Sequence, residues 1–129
     1  FLMIRRPPRS SPKPSSAASD VYKRQVKETP FGSTIAHGFL ILSLCTKFFV
    51  DVIGPIKNEK MGINYGFNKV RFVNPVKCND KIRGIFKLKE ASKRSQSEIL
   101  LNHNLNIEIE GIEKPAMVCE WLNLSVIND

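Results

Sequence analysis

The chain has 129 residues, enough for one domain with one core, and its 42% hydrophobic and 25% charged residues are an ordinary globular balance. No apolar run approaches the ~18 residues that cross a bilayer as a helix, since the longest, Phe39 to Cys45, is broken by Ser43. The net charge of +8 is uneven: residues 1–25 carry Arg5, Arg6, Arg9, Lys13, Lys23 and Arg24 against Asp20, so the chain after Gln25 holds a net of only +3, weak grounds for a nucleic-acid surface.

Residues 1–25 are rich in Pro, Ser and Arg and show no period of 2 or 3.6, which predicts a disordered leader that packs against nothing. Phe1 to Ile4 is too short for the apolar core of a secretory signal, and basic residues follow it. The wording of FLMIRRPPRSS and SSAASDVYKRQ resembles the conceptual translation of sequencing-adapter DNA, so the leader is expected to be non-native and the natural residues before Val26 to be missing. A basic nucleic-acid arm, a transit peptide and a plain linker are the alternatives. The domain proper is read as residues 26–129.

The run Thr29-Pro30-Phe31-Gly32-Ser33-Thr34 is rich in turn formers, with Ser33 and Thr34 as candidate caps for a helix from Ala36 to about Val52. Phe39, Leu40, Ile41, Leu42, Leu44, Cys45, Phe48, Phe49 and Val50 cover almost every face of that helix, which predicts that it is enclosed. Gly54-Pro55 ends it. Four strands should follow. Gly62 to Val73 is rich in β-branched and aromatic residues, and Asn74-Pro75 with Cys78-Asn79-Asp80 marks the next turn. Lys81 to Glu90 sets Ile82, Gly84, Phe86 and Leu88 on one face. Glu98 to Glu110 sets Ile99, Leu101, Leu105, Ile107 and Ile109 inward, with Asn102, Asn104, Asn106, Glu108 and Glu110 toward water. Ala116 to Val126 closes the sheet after Gly111 and Lys114-Pro115. One-sided alternation marks an antiparallel sheet with one wet face, giving an α+β fold with a sheet around one central helix. Cys45, Cys78 and Cys119 are odd in number and widely spaced, which points to reduced thiols in the cytoplasm and to no metal.

Two segments carry a family resemblance. Thr29 to Leu40, with its Ile35-Ala36-His37-Gly38 step, and Ile63-Asn64-Tyr65-Gly66-Phe67-Asn68-Lys69-Val70-Arg71-Phe72 together resemble MaoC-like dehydratases, in the branch related to nodulation protein N. Glu110-Gly111, Lys114-Pro115-Ala116 and Glu120-Trp121-Leu122 fit the same branch. The resemblance implies a hotdog fold and a homodimeric hydro-lyase that hydrates or dehydrates the acyl chain of a coenzyme A thioester, without a cofactor. It also implies an Asp and His acid/base pair in a D-x-N-x-x-H loop before the central helix. That pattern is absent from this sequence. The only histidines are His37 and His103, and the only acid between the leader and the helix is Glu28. No catalytic residue is therefore identifiable, the pair is expected upstream of Val26, and the chain as given is expected to be inactive.

The resemblance also assigns the oxyanion contact to the His37-Gly38 step and a pocket-facing position to Ser43; Gly32, in the approach to the helix, is grouped with them. Each has a plainer account. His37 either lines the pocket or caps the helix, and Gly38 either offers its N–H to the substrate or lets helix and strand approach. Ser43 either faces the pocket or bonds back to a helix carbonyl. His103 reads as a core residue. Lys69, Arg71, Lys81, Arg83, Lys87 and Lys89 either meet coenzyme A phosphates or form a solvated face. The rival functions are a hotdog thioesterase or a non-catalytic acyl-thioester binder, and more remotely a basic β-barrel that binds nucleic acid.

Overall fold

The computed structural model describes residues 1–4, 30 and 32–128. Its elements are β1 (Leu2–Met3), α1 (Gly38–Val52), β2 (Glu59–Phe72), β3 (Lys81–Lys93), β4 (Glu98–Ile109) and β5 (Met117–Ile127). The helix begins later than Ser33 and Thr34 suggest, and the reason is long-range. Ile35 bridges to Lys77, the Ala36 N–H donates to the Val76 carbonyl at 2.8 Å, and the Cys78 N–H donates to the Thr34 carbonyl at 2.9 Å. These bonds hold the chain extended, so the cap falls to His37, whose φ of −62° and ψ of 140° are still extended. At the other end the Ile53 and Gly54 N–H groups both donate to the Phe49 carbonyl, with Gly54 at φ +69°, a left-handed stop that suits glycine.

All five strands form one antiparallel sheet in the order β1-β3-β4-β5-β2. β3 and β4 make a hairpin that runs from Ile82 opposite Ile109 to Lys93 opposite Ile99. Gly111, at φ 77°, turns the chain into β5, which pairs with β4 on one side and the long edge strand β2 on the other. β2 follows β5 with three irregularities, at Glu59/Met61, Asn64/Gly66 and Phe67/Lys69, each of which bends the strand.

The core lies between α1 and the sheet. Ile41, Cys45 and Phe48 of the helix meet Ile82, Leu105, Ile107, Ile109, Met117, Cys119 and Trp121, with Val76 and Ala116 closing the end near the helix start. Gly84 makes this approach possible, because a Cβ there would stand 3.0 Å from the Phe48 Cβ. The Cys45 and Cys119 thiols meet within this core. Their mutual hydrogen bond and burial push the Cys45 thiol well above its ordinary value, so it stays protonated.

Two expectations are corrected here. The helix is not enclosed: Phe39 is 68% exposed and Val50 61%, with Leu40 and Val52 also open. A sheet packed on one side of a helix covers only one stripe of it, whatever the opposite stripe is made of. The leader, expected to touch nothing, contributes a strand. Leu2 and Met3 pair with Ile82 and Lys81, the Ile4 N–H donates to the Asp80 carbonyl at 2.8 Å, and Leu2 and Ile4 pack partly against the core. The edge of β3 is a row of open backbone groups, and an apolar tetrapeptide pairs with its first two residues, Leu2 lying opposite Ile82. Residues 5–25 and the expected boundary at Val26 lie outside the described residues. Among the described residues, no helix is long and apolar enough to cross a membrane.

Candidate functional site

A helix start leaves about four N–H groups without an intrahelical acceptor and carries about half a positive charge. At the start of α1 these donors belong to the cap His37 and to Gly38, Phe39 and Leu40, the first three residues of the helix. The Leu40 and Ile41 N–H groups donate to the His37 carbonyl at 2.9 and 3.3 Å. The Phe39 N–H donates to the His37 ring Nδ1 at 3.2 Å. Among the described residues, that leaves Gly38 as the one residue of the first three in α1 whose N–H has no acceptor. Phe72, the last residue of β2, lies against Gly38: a Cβ on Gly38 would sit 3.1 Å from its ring. The Phe39 ring meets Phe72 edge-on at 6.4 Å and His37 at 5.4 Å. Gly38 thus lies beside a run of three rings, of which Phe39 is 68% and Phe72 49% exposed.

His37 is the cap. Because Nδ1 accepts, the ring proton belongs on Nε2. Gly38 is a close-approach glycine, and its N–H is left without an acceptor among the described residues. The Ser43 hydroxyl donates to the Leu40 carbonyl at 2.7 Å, the back-bond expected of a helix serine. Gly32 is an exposed turn residue at φ 65° with open space where a Cβ would stand. Phe72 ends the second motif, and only the fold brings it to the helix start.

His103 lies on the inner face of β4, 5% exposed, with Nδ1 buried and without a partner. The Phe49 ring meets it edge-on at 5.7 Å and the Phe86 ring at 6.2 Å. Burial pushes its pKa down, so the imidazole is neutral. Phe49 also meets Trp121, which stacks on Phe67 and donates from Nε1 to the Asn64 Oδ1 at 2.7 Å. On the outer face the basic residues are matched by acids. Arg83 pairs with Glu108 at 2.7 Å, Lys81 lies 3.7 Å from Glu110, and Lys89 bonds to Glu120. Those three cations are therefore spent within the sheet. Glu120 also accepts from the Asn102 Nδ2 at 3.1 Å, and Asn102, expected to face water, is 8% exposed. The Lys89 hydrogen bond, then that of Asn102, pulls the Glu120 carboxyl below its ordinary range. Among the described residues no three His, Cys, Asp or Glu side chains converge on a metal site.

One helix laid on a curled antiparallel sheet, with an open N–H at the helix start, defines the hotdog class. A solved structure of similar fold is the monoamine oxidase regulatory protein from Archaeoglobus, with a TM-score of 0.66 at 21% identity over 81% of this chain and 68% of that one. The chain belongs to the MaoC-like domain family, which it matches over residues 22–108. It is 39% identical over 102 residues to Nodulation protein N of Rhizobium leguminosarum bv. viciae, covering 79% of this chain and 63% of that protein. It is 37% identical over 91 residues to 3-hydroxyacyl-thioester dehydratase Z of Mycobacterium tuberculosis, covering 70% of this chain and 60% of that protein. The chain therefore spans less than two thirds of the length of these relatives.

Proposed function

We propose that this chain is the thioester-binding part of an acyl-coenzyme A hydratase/dehydratase, a cytoplasmic homodimer in its intact form. The observation that carries the reading is the open Gly38 N–H at the start of α1. Membership in the MaoC-like family and the similarity to a 3-hydroxyacyl-thioester dehydratase support it. When water adds to the β-carbon of a trans-2-enoyl thioester, the new C–O bond pushes the alkene electrons onto the thioester oxygen. The Gly38 N–H donates to that oxygen as the charge develops, and the helix dipole adds to it. The α-carbon then takes a proton and the thioester is restored. Elimination is the same path in reverse.

The N–H alone does not deliver a proton or activate water; both need an acid and a base within reach of the reacting carbons. We place that Asp/His pair upstream of Val26, since neither His37, which caps the helix, nor His103, buried among aromatic rings, stands beside a carboxylate in the described bonds. The test is crotonyl-coenzyme A hydration by this chain and by the chain joined to its natural upstream sequence. This chain should be inactive and the joined protein active. In the joined protein, Gly38→Pro should lower kcat by roughly 10²-fold, the loss expected for one oxyanion donor, with a much smaller change in KM. Proline is the favoured residue at the first helical position, and the extended ψ of His37 accepts a proline after it, so the variant should fold. Gly38→Ala, which adds bulk against Phe72 but keeps the N–H, should stay within about threefold of the parent. Release of free coenzyme A without hydration would favour the thioesterase. Binding without either reaction would favour the acyl-thioester binder. Robust hydration by this chain would instead place the chemistry on His37 with Glu28.

A further inference from the structure

We infer that His37 is a positioning residue: by taking the Phe39 N–H on its ring nitrogen, it leaves Gly38, among the first three residues of α1, as the single donor presented to the thioester oxygen. The inference rests on the reading of Gly38 above. One residue takes two of the first three donors of the helix and also accepts its first regular bond. Its carbonyl accepts from Leu40 and Ile41, and its Nδ1 accepts from Phe39. Helix caps are ordinarily Ser, Thr, Asp or Asn, whose short side chains place one oxygen over the second or third N–H. An imidazole makes the same bond with a ring, and here that ring continues through Phe39 to Phe72, the residue that lies on Gly38. The cap and the wall of the site are therefore one contiguous set of rings. Without the ring, Phe39 N–H becomes a second open donor one residue from Gly38. It would recruit water or share the thioester oxygen at a different angle. An oxygen that accumulates charge at one place is best served by a donor fixed on that place, not by two that compete for it. His37 itself needs no contact with the substrate.

A cap also stabilises its helix, so the test must separate the two roles. Glycine does so, because it is tolerated at the cap position almost as well as the usual residues but has no side-chain acceptor. The measurement is amide chemical shift on titration with butyryl-coenzyme A, which has the thioester but no alkene to hydrate, together with amide exchange. In the parent chain the Gly38 amide should shift and the Phe39 amide should not. In His37→Gly, Phe39 should lose roughly fivefold in exchange protection, as expected when one ordinary hydrogen bond is removed. Phe39 should then shift with ligand, and the Gly38 shift should fall by about half or more as the contact is shared. His37→Asn, which restores an acceptor, should return both amides to the parent pattern. A Gly38 amide that ignores butyryl-coenzyme A in the parent chain overturns the functional reading and this inference together. A Gly38 response that is the same in the parent and in His37→Gly, with Phe39 silent in both, overturns only the positioning role. If His37→Gly does not fold, His37→Asn decides: a parent-like Gly38 response supports positioning through the cap, and a lost response shows that the imidazole acts by contact.

Discussion

At the scale of single residues, the structure distinguishes polar groups that are spent from those left over. His37 and Ser43 are spent on backbone of α1, while the Gly38 N–H and the His103 Nδ1 are left without partners. The two leftovers differ in setting. Gly38 lies beside the exposed rings of Phe39 and Phe72, whereas the His103 nitrogen is sealed among Phe49, Phe86 and Trp121. A sealed polar atom without a partner costs about 1–3 kcal/mol, which an apolar residue of similar size does not incur. His103→Leu should therefore be at least as stable as the parent at pH 7.5, measured by urea unfolding. The acid limb gives a second readout. Burial holds the folded imidazole below its ordinary value, so near pH 6.5 the unfolded chain begins to take up a proton that the folded one refuses. Stability attributable to His103 is thus fully present above about pH 6.5 and falls as the pH drops below it toward the depressed folded value. His103→Leu should flatten that fall. An unchanged slope between pH 6.5 and 5 would mean that the imidazole is solvated in the folded chain.

At the scale of elements, the helix and sheet are held together where side chains are smallest. Gly84 of β3 faces Phe48, and a Cβ there would meet the Phe48 Cβ at 3.0 Å and the Phe86 ring at 3.2 Å. Gly84→Val should destabilise the fold by roughly 1–3 kcal/mol, because the helix must lift or Phe48 must leave its rotamer. A variant as stable as its parent in thermal unfolding would show that α1 rides loosely on the sheet. The four long strands were legible because their signal is local: alternation at Glu98 to Glu110 needs no partner to be read. What the sequence hid was whatever pairing decides. Ser33 and Thr34 look like caps, but the Ile35–Lys77 bridge, 42 residues apart, keeps them extended. Asn102 alternates outward as expected, yet is buried because register brings Glu120 to it. Phe1 to Ile4 is too short to show periodicity, and only the open edge of β3 makes it a strand. The site divided the same way. The His37-Gly38 step was legible as a motif, while Phe72 and the assignment of His37 to the cap depend on backbone angles and strand register.

At the scale of the whole molecule, the exposed apolar groups are concentrated on two connected features. α1 shows Phe39, Leu40, Val50 and Val52, and β2 shows Met61, Ile63, Tyr65 and Phe72. β2 spans 14 residues and pairs only with β5, so its second edge is unpaired among the described residues. An edge this long, with large apolar residues exposed along it, is a template for another strand even though three irregularities bend it. A second copy is the simplest occupant. Two β2 edges related by a twofold axis pair antiparallel, which satisfies both rows of backbone groups and continues each sheet into the other. We therefore expect a dimer in sedimentation at tens of micromolar. The double variant Met61→Lys, Ile63→Lys puts charge on the strand in the way natural edges are protected, and it should shift the chain toward monomer by tenfold or more in Kd, about 1.4 kcal/mol. Monomers that keep a parent-like circular dichroism spectrum would assign the loss to the interface. A parent chain that sediments as a monomer throughout would leave the β2 edge to another occupant and would count against the dimeric reading of the site.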